Sequence, residues 1–352
     1  MAKVLTPDDV IRDITHDLPS LQYNVHLTDL ELALIPLRKR NHELLLHACS
    51  QAAFLVSVLD ELTHAAFSSD DKNEGLPRQR VSIGIIGGGR LCGHLVRNLL
   101  HHAKCHPHDI SISTYQPENI KHLAAIGVSC CHDNRSIIEH SDITFVTIPS
   151  HQIQILAREM KPFKNPMHFM VPYIMSRSLT DLLGLLDHEN ILKTEYLFNY
   201  QAAEGPDTPY SEIEMCLEDL DVVEKCFPLA EAPEGELLGH VYSGPEWVRD
   251  AIVVFYRHTL ALVKSPAQAL NILNTVLLAD CEDKLIQKCF LIAGTPPRMA
   301  DLPEQLADLA SVGAKMTYLN VDLESGKFSK ALTDKFLSVF ESKKVDLSKY
   351  DR

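Results

Sequence analysis

Residues 81–93 read V-S-I-G-I-I-G-G-G-R-L-C-G. A short apolar run ends on Gly87, Gly88 and Gly89, and beyond it Leu91, Leu95, Val96, Leu99 and Leu100 recur at helical spacing. The order is strand, tight glycine turn, helix. Such a turn needs residues without a Cβ, and the helix start turns unpaired N–H groups and a positive dipole end toward whatever lies above it. A pyrophosphate suits that place. In the dinucleotide fingerprint the first glycine makes the turn, the second admits phosphate, and the third lets helix and strand pack closely. Gly87 and Gly89 fill the first two positions, Cys92 stands at the third and Gly93 comes one residue late. A glycine turn that binds nothing remains the bland alternative at this level.

The rest of the chain bounds the answer. Its 352 residues predict two domains, or one large domain with additions, and 45% apolar residues suit a globular chain with sizeable cores. A formal charge of −14 argues against nucleic acid or an anionic membrane surface as the main partner, since both select basic faces. A small-molecule substrate is the expectation. The first residues lack an apolar signal core and an Arg-rich presequence, and no 18-residue apolar run stands out, so a cytoplasmic protein is expected. Nine scattered cysteines without a C-x-x-C pair read as reduced thiols. The cluster His101, His102, Cys105, His106 and His108 lacks a second ligand group at zinc-site spacing, and no metal is expected.

Patterning divides the chain. Residues 1–77 read as a helical extension and linker, with Pro36 interrupting one helix and a long apolar-striped segment over 42–67. Residues 78–236 alternate strand candidates at 81–86, 110–114, 128–131, 142–148, 168–171 and 191–197 with helical stretches. That predicts an α/β, Rossmann-type doubly wound parallel sheet. Residues 237–342 read as an all-helical C-terminal domain, broken near Gly294-Thr295-Pro296-Pro297, and 343–352 as a polar tail. In such sheets the ligand lies across the carboxyl ends of the strands. The informative residues are therefore Gly87 to Gly89, Thr114 to Gln116, Ile148 to His151, and Pro172 to Ser176.

An NAD site places an acidic residue at the exit of the second strand to accept hydrogen bonds from the ribose hydroxyls. Here that strand leaves as Ile112-Ser113-Thr114-Tyr115-Gln116, without a carboxylate. Ser113 and Thr114 can donate to a 2′-phosphate, and Arg90 follows the last glycine. The expected cofactor is NADP, held by Gly87, Gly88, Gly89, Arg90, Leu91, Ser113, Thr114, Ile148, Pro149 and Ser150.

The segment from Ile126 to Ile153, with its S-D-I-T-F-V-T-I-P-S-H core, together with the glycine strand, resembles the cofactor domain of the pyrroline-5-carboxylate reductases. Those enzymes pass a hydride from NAD(P)H to a cyclic imine. Ser243-Gly244-Pro245-Glu246-Trp247 resembles the family's Ser-Gly-Pro-Ala-Tyr, and Leu323-Glu324-Ser325-Gly326-Lys327-Phe328 its Leu-Glu-Ser-Gly-Gly-Phe. The resemblance implies a homodimer through the C-terminal helices, with the active site completed across it. Two departures matter. Thr147-Ile148-Pro149-Ser150 replaces Ala-Val-Lys-Pro, and Gly313-Ala314-Lys315-Met316 replaces Gly-Gly-Ala-Thr, so a lysine and a hydroxyl donor are lost. Proline synthesis is therefore not carried over. Ser243, Lys315 and Met316 mark the substrate pocket, Ser150, His151 and Tyr173 stand at strand exits near the expected nicotinamide, and no catalytic residue is assigned. The functional expectation is an NADP-dependent oxidoreductase acting on a small C=N or C=O compound. A catalytically silent NADP-binding protein that senses the cofactor or recruits a partner is the alternative.

Overall fold

The computed structural model describes residues 28–68, 80–160, 168–188, 190–198, 213–229, 241–278, 286–290, 318–321 and 326–341. Helix α1 (Asp29–Ser68) comes first, and five parallel strands follow: β1 (Ile83–Ile86), β2 (Ile110–Ser113), β3 (Ser129–Cys131), β4 (Ile143–Val146) and β5 (Phe169–Pro172). Their order in the sheet is β3-β2-β1-β4-β5. The chain builds outward from β1 on one side, then returns to build on the other. The switch falls between β1 and β4, where the glycine turn leaves β1, and that crevice is where such sheets bind ligands.

Near-continuous apolar strands are what a sheet buried on both faces requires. Ile83, Ile85, Ile110, Ile112, Ile143, Phe145, Phe169 and Val171 share one core with helix α2 (Arg90–His102) and with α1. Ile86, Val146 and Met170 turn to the other core, which contains residues of α4 (Asn134–His140), α5 (Ile153–Met160) and α6 (Leu179–Leu186). The short α3 (Lys121–Ala125) precedes β3. The doubly wound expectation holds, with strand ends within two residues of those read from the pattern.

The expected sixth strand is not part of this sheet. Ile191 makes a single parallel bridge to Met170, with Met170 N–H donating to Asn190 O and Leu192 N–H to Met170 O. The next bond in that ladder would come from residue 172, which is proline and has no N–H to give. The chain departs, and β6 (Tyr196–Phe198) pairs antiparallel with β7 (Val241–Ser243) instead. Among the described residues two short helices lie between them, α7 (Ile213–Cys216) and α8 (Leu220–Lys225).

The C-terminal half is helical, with α9 (Glu246–Val263), α10 (Pro266–Leu277) and α11 (Gly326–Glu341). It also holds an antiparallel pair that helical periodicity did not reveal, β8 (Ile286–Phe290) and β9 (Tyr318–Val321). The Asn274 side chain acts as an adjoining strand for it: its amide donates to Ile286 O and its carbonyl accepts from Ile286 N, both at 3.1 Å. The anticipated break at residues 294–297 and the tail at 343–352 lie outside the described residues.

Helix α1 departs most from expectation. Pro36 does not interrupt it; the helix runs unbroken for 40 residues, roughly 60 Å at the usual rise. Proline removes one N–H bond near the start, while among the described side chains the buried residues that anchor the helix, from Leu46 onward, lie beyond it. By length and composition Leu37–Ser68 could cross a bilayer, contrary to the reading that no such run exists, yet most of it is buried in this fold. Leu55, Val58, Leu59 and Leu62 are fully buried, each such side chain contributing roughly 1.5–3 kcal/mol. Phe54 lies among Phe227, Trp247, Phe255 and Phe336, with ring centroids 6.1, 6.3, 6.2 and 5.3 Å away. The helix packs on α2, α9, α10 and α11, so it is the axis on which the sheet and the C-terminal helices meet.

Candidate functional site

At the exit of β1 the backbone turns on Gly87, whose φ is +113°. A Cβ there would stand 2.6 Å from Thr147 Oγ1, so both conformation and space demand glycine. The turn is clamped from two sides. Gly87 N–H donates to Ser113 O at 2.8 Å, and the Thr147 hydroxyl reaches Gly87 O at 3.0 Å. Gly88 lies against Thr114, where a Cβ would meet Oγ1 at 2.7 Å. At Gly89 a Cβ would meet nothing within 4 Å: the residue faces open space. Gly89 also N-caps α2 with no side-chain cap, and no acidic residue stands in the first turn. The N–H groups of that 13-residue helix are left for an anion. Cys92, fully buried in the core, fills the third position of the fingerprint, whereas a Cβ on Gly93 would meet only the Arg97 side chain.

A cleft of about 460 Å³ opens over this turn. Gly87, Gly88, Gly89, Ser113, Thr114, Ile148 and Pro149 line it, as the strand-exit rule predicts. Arg90, Leu91 and Ser150 do not. Arg90 is exposed at the start of α2, Leu91 packs partly buried against the main core, and Ser150 opens a short 3₁₀ turn after β4. The cleft has further polar lining at Gln116, Asn119, His132, Asn134, Thr147 and Gln152, with Tyr115, Ile155 and Leu156 as its apolar part. No carboxylate is among these residues. His132 and Asn134 escaped the sequence reading because it took no account of the exit of β3, although the same rule would have pointed there.

The substrate end is different. Ser243 is buried, and its hydroxyl accepts from the Gln51 amide of α1 at 2.8 Å. The Gln51 carbonyl oxygen in turn accepts from Thr194 and Tyr196. Tyr173, at the exit of β5, donates its hydroxyl to Ala48 O at 3.0 Å, and burial pushes its phenol well above the usual range. Ser243, expected in the substrate pocket, and Tyr173, expected near the nicotinamide, are therefore both engaged by α1. His151 is exposed and does not line the cleft. Lys315 and Met316 lie outside the described residues. Among the described residues no group of three His, Cys, Asp or Glu stands close enough to hold a metal. Of the histidine cluster, His102 packs instead against Phe340, with ring centroids 4.8 Å apart.

Comparison with known proteins adds kinship. Residues 82–169 match the family described as NADP oxidoreductase, coenzyme F420-dependent. The chain is 25% identical over 279 residues to NADP-dependent oxidoreductase domain-containing protein 1 of Mus musculus, covering 76% of this chain and 73% of that one. Over 95 residues it is 27% identical to pyrroline-5-carboxylate reductase 3 of Xenopus laevis, 27% of this chain and 35% of the relative. Among solved structures, a pyrroline-5-carboxylate reductase from Coxiella burnetii matches at 16% identity and a TM-score of 0.30, covering 74% of this chain and 98% of that one.

Proposed function

For a chain related to the NADP-dependent oxidoreductases of the pyrroline-5-carboxylate reductase kind, we propose that the cleft over Gly87, Gly88 and Gly89 binds NADP(H) and that the protein passes a hydride between it and a small C=N or C=O compound. The observation that carries this reading is Gly89: an open glycine at an uncapped helix start, lining a cleft with no carboxylate among its described residues. Those residues fit a dinucleotide. Gly89 admits the pyrophosphate, the first turn of α2 offers it N–H donors, and Thr147 holds the turn in shape through its bonds to Ile86 O and Gly87 O. Ile148 and Pro149 supply an apolar wall. Bound there, the dinucleotide supplies the hydride, and such transfer asks of the protein mainly that donor and acceptor be held together. A homodimer through the C-terminal helices and a cytoplasmic site of action belong to the same proposal, resting on the resemblance and on composition.

A second reading, a silent NADP-binding protein, has its own support in the engagement of Ser243 by Gln51 and of Tyr173 by Ala48. One experiment separates the two. The purified full chain is titrated with NADPH, then offered NADPH and a panel of cyclic imines, aldehydes and ketones while nicotinamide absorbance is followed. Binding with turnover supports the enzyme, binding without turnover on any of them supports the silent protein, and no binding overturns both.

A further inference from the structure

We infer that His132 is the residue that selects for the 2′-phosphate of NADP(H), an inference that rests on the proposed NADP site. A phosphate monoester is discriminated from a hydroxyl by charge and by strong hydrogen-bond donors. Of the described residues lining the cleft, His132 is the one that can carry a positive charge; the rest of them are glycines, apolar side chains, hydroxyls and amides. Its place also fits. In sheets of this kind the ribose 2′ position is read at the exit of the second strand. There, Thr114 N–H donates to Cys131 O at 3.0 Å, so the exits of β2 and β3 lie side by side, and His132 directly follows the last residue of β3.

The turn that carries His132 is built rather than loose. Asp133 caps α4, accepting from Arg135 N–H at 3.0 Å and Ser136 N–H at 3.2 Å. The Asn134 amide donates to Glu159 at 2.7 Å, and Arg135 is paired with Glu139 at 2.6 Å. The neighbouring charges are thus partnered within the turn, with α5 or within α4. On the facing side the Asn119 amide donates to the Gln116 carbonyl oxygen at 2.7 Å, which leaves the Gln116 amide nitrogen as a second donor near the same strand exit. The imidazole donates a hydrogen bond to the 2′-phosphate and, when protonated, adds a charge. Arg90, which sequence reasoning put in this role, is exposed outside the cleft lining.

The test is titration of the full chain and of His132→Ala, His132→Gln and Arg90→Ala with NADPH and with NADH, followed by nicotinamide fluorescence. His132→Ala is expected to weaken NADPH about tenfold, equivalent to about 1.4 kcal/mol, and to leave NADH within about twofold. His132→Gln keeps a donor without the charge and falls between, while Arg90→Ala changes neither ligand by more than about twofold. If the parent prefers NADPH and His132→Ala leaves that preference intact, the inference is overturned and the NADP reading stands. The same holds if Arg90→Ala removes the preference and His132→Ala does not. A parent chain that binds NADH as tightly as NADPH overturns both.

Discussion

The Gln51 amide donates to the Ser243 hydroxyl across 2.8 Å, joining α1 to the strand that leads into α9. It is one rung of three. Glu43, His47 and Gln51 stand four residues apart on one face of α1. The Glu43 carboxylate accepts from Val241 N–H at 2.9 Å, and the His47 Nε2–H donates to Val241 O at 3.0 Å. The helix thus satisfies the outer edge of β7 as a neighbouring strand would. Gln51→Ala strands the hydroxyls of Thr194 and Tyr196 as well as Ser243, and a loss of about 1–3 kcal/mol is expected in denaturant unfolding. A double-mutant cycle with Ser243→Ala should show coupling; additive effects would mean that the bond does not stabilise the fold.

The aromatic cluster around Phe54 predicts that α1 is integral. Phe54→Ala empties a site bordered by four other rings and should cost about 3–5 kcal/mol. Thermal unfolding of the variant would show a single transition at a clearly lower midpoint. A midpoint within a degree or so of the parent would mean that α1 is a detachable appendage.

The buried pair His168 and His188 sets a response to acid. His168 shares hydrogen bonds with His188 at 3.2 Å and Thr144 at 2.9 Å, and burial first, then its neighbour, pushes its pKa down to about 3. Burial likewise holds His188 at about 4. Both imidazoles stay neutral in the fold at pH values where the unfolded chain takes up protons. Stability therefore rises with pH and is lost as pH falls from about 6.5 toward these values, at roughly 1.4 kcal/mol per pH unit for each proton. Replacing His168 with Gln should flatten the slope of stability against pH between about 6 and 4. An unchanged slope would place the acid sensitivity elsewhere.

How legible this was in the sequence differed from part to part. Strand, glycine turn and helix at residues 83–102 could be read directly because local patterning and sheet burial agree there. The departure at Ile191 turned on one missing N–H at Pro172, a long-range effect that no local pattern carries. The pair β8 and β9 was hidden because its pairing partner lies far along the chain and Asn274 serves as its edge. The unbroken course of α1 through Pro36 was not legible because the described residues that anchor the helix, from Leu46 onward, lie a good distance beyond the proline. At the site, the glycines and the carboxylate-free exit of β2 were legible, since each follows from what a dinucleotide demands of backbone and charge. That Ser243 and Tyr173 are engaged by α1 was not, because nothing in residues 42–67 announces which face meets which strand.

Gly87→Ala tests the turn itself. The positive φ disfavours any L side chain, and the added carbon meets Thr147 Oγ1 at 2.6 Å. A loss of about 1–3 kcal/mol is expected, together with weakened NADPH binding. A variant as stable as the parent would show that the turn relaxes freely.

Gly89→Val gives the most direct test. The backbone at Gly89 is extended, with φ −81° and ψ −171°, and a Cβ there meets no atom within 4 Å, so the substitution spares the fold while adding bulk at a residue that lines the cleft. Calorimetric titration of the parent and of Gly89→Val with NADPH, beside a thermal melt of each, should show tight binding by the parent, none by the variant, and unchanged melting midpoints. Equal binding by both proteins would contradict the assignment of this cleft as the dinucleotide site.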